Sequence, residues 1–317
     1  MSIKVIFDTD PGIDDAFALF YALSHPEIEV IGITTVFGNV PIDISTDNAY
    51  ILKEKSESNI QVFKGASKPL LRPNGNFPYF IHGDDGLGNI NHARPENIKE
   101  NIEASDFIID RAYRYPREIN IIAVGPLTNI ANVINKDPKI VEIIKSITIM
   151  GGSWFAGGNI SPVAEANIYN DPEAAEIVFK SKIPITMIGL DVTHKVFLTN
   201  SHIKYLASLK NNSGKFLQDI SNFYVEFYKE TKNMNGCYFH DATAAIAFTN
   251  PEYFDFKKGK VFVSLDRLTR GQTVVFESEK FHETFIDDKR QNINIANRVQ
   301  SEKVINKFLE IAEKYMK

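Results

Sequence analysis

The sequence predicts an α/β fold: an open, mostly parallel sheet with helices on both faces. Two observations predict it. Short runs of apolar and β-branched residues alternate with longer segments of helical periodicity over the first half of the chain, as βαβ units require. These runs also end repeatedly in Gly, Asp, Asn or Thr, at the sheet edge where strand-end loops share a crevice.

The elements follow in order. Ile3 to Phe7 reads as a buried strand, and Ala16 to Leu23 as a helix. Ile28 to Phe37 reads as a strand, Asp43 to Ser58 as a helix, and Ile60 to Phe63 as a short strand. Gly65 to Asn101 is irregular and rich in Pro, Gly, Asn and His; loops this long inside a compact domain are usually functional or mobile. Ala104 to Tyr115 reads as a helix, and Ile119 to Val124 as a strand running into Gly125-Pro126-Leu127-Thr128-Asn129 and another helix. Ser146 to Met150 is a strand ending in Gly151-Gly152, Asp171 to Lys180 a helix, and Ile183 to Leu190 a strand ending at Asp191. The second half is less regular. Ser213 to Thr231 and His240 to Phe248 read as helices, and Lys260 to Leu265, Thr273 to Phe276 and Asn292 to Ala296 as short strands. A charged helix, Glu302 to Lys317, follows. No repeat, low-complexity tract or composition break appears, so residues 1–317 read as one domain.

The bulk numbers narrow the function. The 317 residues are 44% hydrophobic and 24% charged, ordinary for a globular protein. A net charge of −5 does not favour nucleic acid as a partner. The single cysteine, Cys237, excludes an internal disulfide framework and Cys-based zinc sites. Met1 leads directly into the first strand, with no signal-peptide pattern and no membrane-length apolar run. A cytoplasmic protein without a membrane partner is the expectation.

The densest chemical signal is Asp8-Thr9-Asp10-Pro11-Gly12-Ile13-Asp14-Asp15, four aspartates at one strand-to-helix turn. Asp-Pro-Gly is a turn sequence, and a carboxylate near a helix N-terminus is ordinary. A cap, however, uses one or two carboxylates, not four. Charges this close stay ionised only beside a cation or with shared protons. Oxygen donors alone favour Ca²⁺ or Mg²⁺ over zinc. Other strand ends add Asn39 after Gly38, Gly125-Pro126, and Gly151-Gly152 with a Gly-rich loop reaching Asn159. Ala164-Glu165-Ala166-Asn167 follows, and His240-Asp241-Ala242-Thr243 opens a helix. Singly, these read as turn residues, solvated loop polars or caps. Gathered at one sheet edge, they read as a site.

The aspartate motif through Ala16 resembles the N-terminal signature of the inosine-uridine nucleoside hydrolases. Further matches occur in family order: Gly38-Asn39, Ile81-His82-Gly83, Val124 to Asn129, Met150-Gly151-Gly152, Ala164 to Asn167, Asp171-Pro172-Glu173-Ala174-Ala175 and His240-Asp241-Ala242. The likeness spans residues 8 to 242. It implies a Rossmann-like nucleoside hydrolase fold. It also implies Ca²⁺-dependent hydrolysis of purine or pyrimidine ribonucleosides to ribose and base, for nucleoside salvage. By motif position, Asp10, Asp15, the Val124 carbonyl and Asp241 would hold Ca²⁺, with Asp8 steadying that site. Asp14 matches the general base. Asn39, Met150 through its main chain, Asn159, Glu165 and Asn167 match groups that hold the ribose. His240 matches a residue near the leaving base and is the candidate acid; His82 lies in a loop that approaches the pocket. Tyr228 is placed on the base side by its offset from His240. Family members are commonly dimers or tetramers, so a homodimer or homotetramer is expected.

Two positions depart from the family. Ala166 stands where an aromatic is common, and Asp84 where Glu is common; both concern the base side or lid. Phe223, Tyr224 and Phe227 fit an amphipathic helix and read as core. Two other classes compete. Asp8-Thr9-Asp10 superficially resembles haloacid-dehalogenase phosphatases, but Pro11-Gly12 replaces their glycine-threonine continuation. A nucleoside-binding protein without turnover is the other, opposed by the presence of Asp14.

Overall fold

A computed structural model describes residues 2–93, 95, 102–209, 211–277 and 288–317. Its strands are Ile3–Thr9 (β1), Ile28–Thr35 (β2), Val62–Lys64 (β3), Asn120–Ala123 (β4), Ser146–Met150 (β5), Ile185–Ile188 (β6), Phe197–Thr199 (β7), Gly236–Tyr238 (β8), Phe254–Val263 (β9), Thr273–Phe276 (β10) and Ile293–Val299 (β11). Its α-helices are Ile13–Ser24 (α1), Ile42–Lys55 (α2), Tyr79–His82 (α3), Ala104–Arg114 (α4), Thr128–Lys136 (α5), Ala166–Asn170 (α6), Pro172–Lys180 (α7), Leu190–Thr193 (α8), Asn200–Ser208 (α9), Asn212–Lys232 (α10), His240–Thr249 (α11) and Ser301–Tyr315 (α12).

Nine strands form one sheet in the order β10-β9-β11-β6-β5-β4-β1-β2-β3. From β11 to β3 every pairing is parallel; β9 runs antiparallel to both β11 and β10. Side chains of a strand alternate between faces. Val5 and Phe7 of β1 therefore join one core, with α1, α10, α11 and α12, while Ile6 joins another, with α4, α5 and α7. Both faces are covered, as expected.

The chain turns left and right from β1: β2 and β3 lie on one side, β4 to β6 on the other. This is a topological switch point, and its crevice opens at the C-terminal ends of β1 and β4. Asp8 pairs in register with Thr34 on one side and Ala123 on the other. The aspartate cluster is thus at the deepest edge of the sheet.

Several boundaries differ from the expectation. Helix α1 begins at Ile13 rather than Ala16, because the Asp15 carboxylate accepts the Gly12 N–H at 2.9 Å and closes the first turn. The strand expected over 183–190 stops at Ile188; Gly189 ends it and Asp191 lies within α8. The small β7–β8 sheet and α9 carry no strong pattern in the sequence. Strand β9 starts earlier than expected, at Phe254. The irregular stretch 65–101 contains α3, and its positions 94 and 96–101 lie outside the described residues. Among the described residues no helix is long and apolar enough to cross a membrane.

Candidate active site

A cavity of about 250 Å³ opens over the switch point. Asp14, Val124, Met150, Glu165, Asn167 and Asp241 line it toward the sheet. Carboxylate oxygens of Asp14, Asp15 and Asp241 lie within 4.8 Å of one another, all buried. Asp10 is a neighbour: its Oδ2 accepts the Asn39 N–H at 2.8 Å, and its Oδ1 is buried without a partner. Glycines make the room. A Cβ on Gly125 would come within 2.6 Å of that unpartnered oxygen, and one on Gly38 would collide with the other carboxylate oxygen. An orphaned carboxylate oxygen in a cradle that any side chain would fill, beside three more carboxylates, fits a hard cation.

Burial and mutual repulsion dominate the electrostatics. Burial, then Asp15, pushes Asp14 up to about 7. Burial pushes Asp8 up to about 6, opposed by bonds from Asn129 and Thr34. Burial and neighbouring carboxylates drive Asp10 and Asp241 well above the usual range. Carboxylates this close repel one another, and a cation among them would relieve that repulsion.

A pH dependence follows for the cation-free protein. The native state keeps protons on Asp8 and Asp14 up to about 6 and 7, whereas the unfolded chain releases them near 4. The native state binds more protons between those values, so its stability falls as pH rises. The thermal midpoint of stripped protein is expected to drop by on the order of 5 °C from pH 5 to pH 8, and saturating divalent cation should remove most of the drop. A midpoint that rises with pH in stripped protein contradicts this.

The surrounding groups hold the cluster in place. Asn39 Nδ2 donates to Asp15 at 3.0 Å and to the Asp10 carbonyl at 3.2 Å. Asp8 Oδ1 accepts from Asn129 Nδ2 at 2.8 Å and from the Thr34 hydroxyl. Asn167 Nδ2 donates to the carbonyls of Val124 at 2.7 Å and Met150 at 3.1 Å, aligning the ends of β4 and β5. Glu165 caps α6 and accepts backbone N–H groups of Gly152, Asn167 and Ile168. Asn159 Oδ1 accepts the Ala166 N–H. The Gly-rich loop is pinned by Asp191, whose carboxylate accepts the N–H groups of Trp154, Phe155 and Ala156.

Histidines and tyrosines form the other end. His82 Nδ1 accepts the Ile13 N–H at 3.2 Å and lies 4.0 Å from Asp14 Oδ1. An acceptor nitrogen carries no proton, and burial holds His82 down at about 3; the pair is therefore not an ion pair. Asp14 Oδ1 is left without a hydrogen-bond partner. His240 lies 2.8 Å from Thr193 Oγ1 through Nδ1 and 3.5 Å from Tyr228 Oη through Nε2. Burial, aided by His194 and Lys232, pushes it down to about 3.

All the residues picked from the sequence are in or beside this cavity. Asp8, Asp10 and Asp15 sit under it; the others line it. Tyr224 and Phe227, read as core, pack in the core and also line the cavity. His194 and Lys232 line it too and were not picked. His194 carries no motif, but it stands five residues past the Gly189 that ends β6, in the loop region at a strand end where ligands gather.

The sequence profile described as inosine-uridine preferring nucleoside hydrolase matches residues 5–306. A probable uridine nucleosidase 1 of Oryza sativa subsp. japonica is 39% identical over 278 residues, 87% of this chain and 86% of that one. The solved structure of a plant nucleoside hydrolase superposes with a TM-score of 0.96 at 35% identity, covering 99% of this chain and 100% of that one. A purine-preferring ribonucleoside hydrolase from Gardnerella vaginalis gives 0.90 at 34% identity, covering 98% and 99%. With profile, fold and acidic crevice in agreement, the chain belongs to the inosine-uridine preferring nucleoside hydrolase family, whose enzymes hydrolyse the N-glycosidic bond of ribonucleosides.

Proposed function

We propose that this chain is a Ca²⁺-dependent hydrolase that splits ribonucleosides into ribose and free base. The observation that carries the proposal is Asp14: a cavity-lining carboxylate with one oxygen unpartnered, beside a histidine nitrogen that can only accept. Such an oxygen lacks a donor, and an attacking water would supply one. Asp10, Asp15, Asp241 and the Val124 carbonyl would hold Ca²⁺, an all-oxygen set suited to that ion. When bound, Ca²⁺ supplies Lewis acidity toward water and an anchor for the ribose diol.

The chain's own residues do the rest. Asp14 takes the proton of the water that attacks the anomeric carbon. Asn39, Asn159, Glu165, Asn167 and the Met150 main chain position the ribose, which provides much of the rate by orientation alone. Glu165, fixed by three backbone N–H groups, presents a carboxylate that favours the oxocarbenium-like transition state. Asp8 is held by Thr34 and Asn129 and steadies the strand end that carries Asp10. His82 and Tyr228 shape the base side. His240 assists the departing base as a hydrogen-bond donor: burial keeps its ring neutral, and when the Thr193 hydroxyl donates to Nδ1 the hydrogen stands on Nε2. Residues 1–317 act as one domain in this reading. Cytoplasmic nucleoside salvage by a homodimer or homotetramer belongs to the same reading, on family resemblance alone.

The test is a product assay. Purified protein with Ca²⁺ in phosphate-free buffer should release ribose and base in equal amounts from uridine or inosine. Release that requires phosphate and yields ribose 1-phosphate, or no release from any ribonucleoside, would overturn the proposal. His240→Ala is expected to lower turnover of inosine about 100-fold, but of p-nitrophenyl riboside only about threefold, because nitrophenolate leaves without a proton. Equal losses on both substrates would remove this role of His240.

A further inference from the structure

Among the described residues lining the cavity, Lys232 is the one lysine or arginine. It occupies the last position of α10, where any cation is favoured by the helix dipole. Its surroundings distinguish it from an ordinary capping lysine. Lys229, in the same turn, pairs with Glu226 at 2.9 Å. Lys232 has no carboxylate within 4.0 Å among the described residues. Its ammonium instead rests 4.9 Å from the ring centroid of Tyr238 and 5.8 Å from that of Tyr228, an aromatic seat that holds a cation without neutralising it. Tyr228 in turn touches His240, and Tyr238 packs against both His194 and His240. The charge is felt at the cavity wall, since Lys232 helps keep His194 unprotonated.

We infer that Lys232 is a specificity-determining residue that stabilises the negative charge of the departing base and so favours oxo-bases such as uracil and hypoxanthine. The inference rests on the hydrolase reading. In that reaction the C1′–N bond breaks with its electron pair passing to the base. Water oxygen bonds C1′, and the water's proton goes to Asp14. The base therefore leaves as an anion, to be protonated from solvent. Uracil and hypoxanthine anions spread their charge onto exocyclic oxygen, which a nearby ammonium attracts. Adenine has no such oxygen. The acidic floor repels an anion, so a cation at the opposite end favours charge separation along the breaking bond.

The experiment compares kcat/KM of the Ca²⁺-loaded protein and of Lys232→Met and Lys232→Arg on uridine, 5-fluorouridine and p-nitrophenyl riboside. These leaving groups need progressively less help. Lys232→Met is expected to lose roughly 30-fold on uridine, less on 5-fluorouridine and under about twofold on the nitrophenyl substrate. Lys232→Arg should recover most of the uridine rate. Equal losses on all three substrates, no loss on uridine, or a failure of arginine to restore it would overturn the inference. Normal hydrolysis of p-nitrophenyl riboside in every variant would keep the hydrolase reading intact whichever way Lys232 falls. Absence of turnover of all three substrates by unaltered protein would defeat that reading, and this inference with it.

Discussion

Asp14→Ala is expected to lower kcat on uridine by roughly three to four orders of magnitude, with the fold and cation binding retained. Asp14 sits in the first turn of α1 with a buried side chain, so it looks structural at first sight. Its bonding says otherwise. One oxygen has no partner, and its carboxyl is pushed up to about 7 by burial and by Asp15. A carboxylate held near neutrality by its surroundings is matched to take and release a proton at physiological pH. Removing it also removes a desolvation and repulsion cost. The cation-free variant should therefore be no less stable than the unaltered protein at pH 8. Ribose release and a thermal midpoint, measured side by side, check both parts. Turnover within tenfold of normal would contradict the assigned role.

Stripping the divalent cation is the second large effect, with an expected loss of at least about 1,000-fold in turnover. Asp10, Asp15 and Asp241 do not hold themselves in a productive arrangement: they repel, and burial favours the protonated form of each. A proton on Asp14 removes the base, and a proton on Asp241 removes an anchor for the cation. The loss should be reversed by Ca²⁺ and be steeper at low pH, where protons compete with the ion for the same oxygens. The check is turnover against free Ca²⁺ at two pH values. Activity that survives exhaustive chelation would contradict it.

Much of this was legible because βα units write their function at strand ends. The run Ile3 to Phe7 marks β1, which continues two residues further, through Asp8 to Thr9, so Asp10, Asp14 and Asp15 fall just past the sheet edge. The same reasoning placed Asn39 after β2, Val124 after β4 and Met150 at the end of β5. Less legible were residues reached through tertiary packing. Asp191, expected at a strand end, lies in α8 and reaches across to hold the 154–156 loop. That loop is distant in sequence, and no local pattern marks the pairing. Asn129 looked like the tail of a motif, yet it ties Asp8 to the Ala66 backbone. Tyr224 has the period of a buried helix face, and it is buried; that the same face also borders a cavity cannot be read from period alone. Lys232 is one lysine in a charged helix end, and only the seat between two tyrosine rings sets it apart.

The central claim is that a hard cation and Asp14 together cleave the N-glycosidic bond. It is tested most directly by titrating Ca²⁺ into fully stripped protein while following ribose release from uridine. One bound Ca²⁺ per chain restoring hydrolysis in the unaltered protein, with Asp14→Ala binding the ion but remaining inactive, is the predicted result. Hydrolysis without the ion, or full activity in Asp14→Ala, would contradict the account.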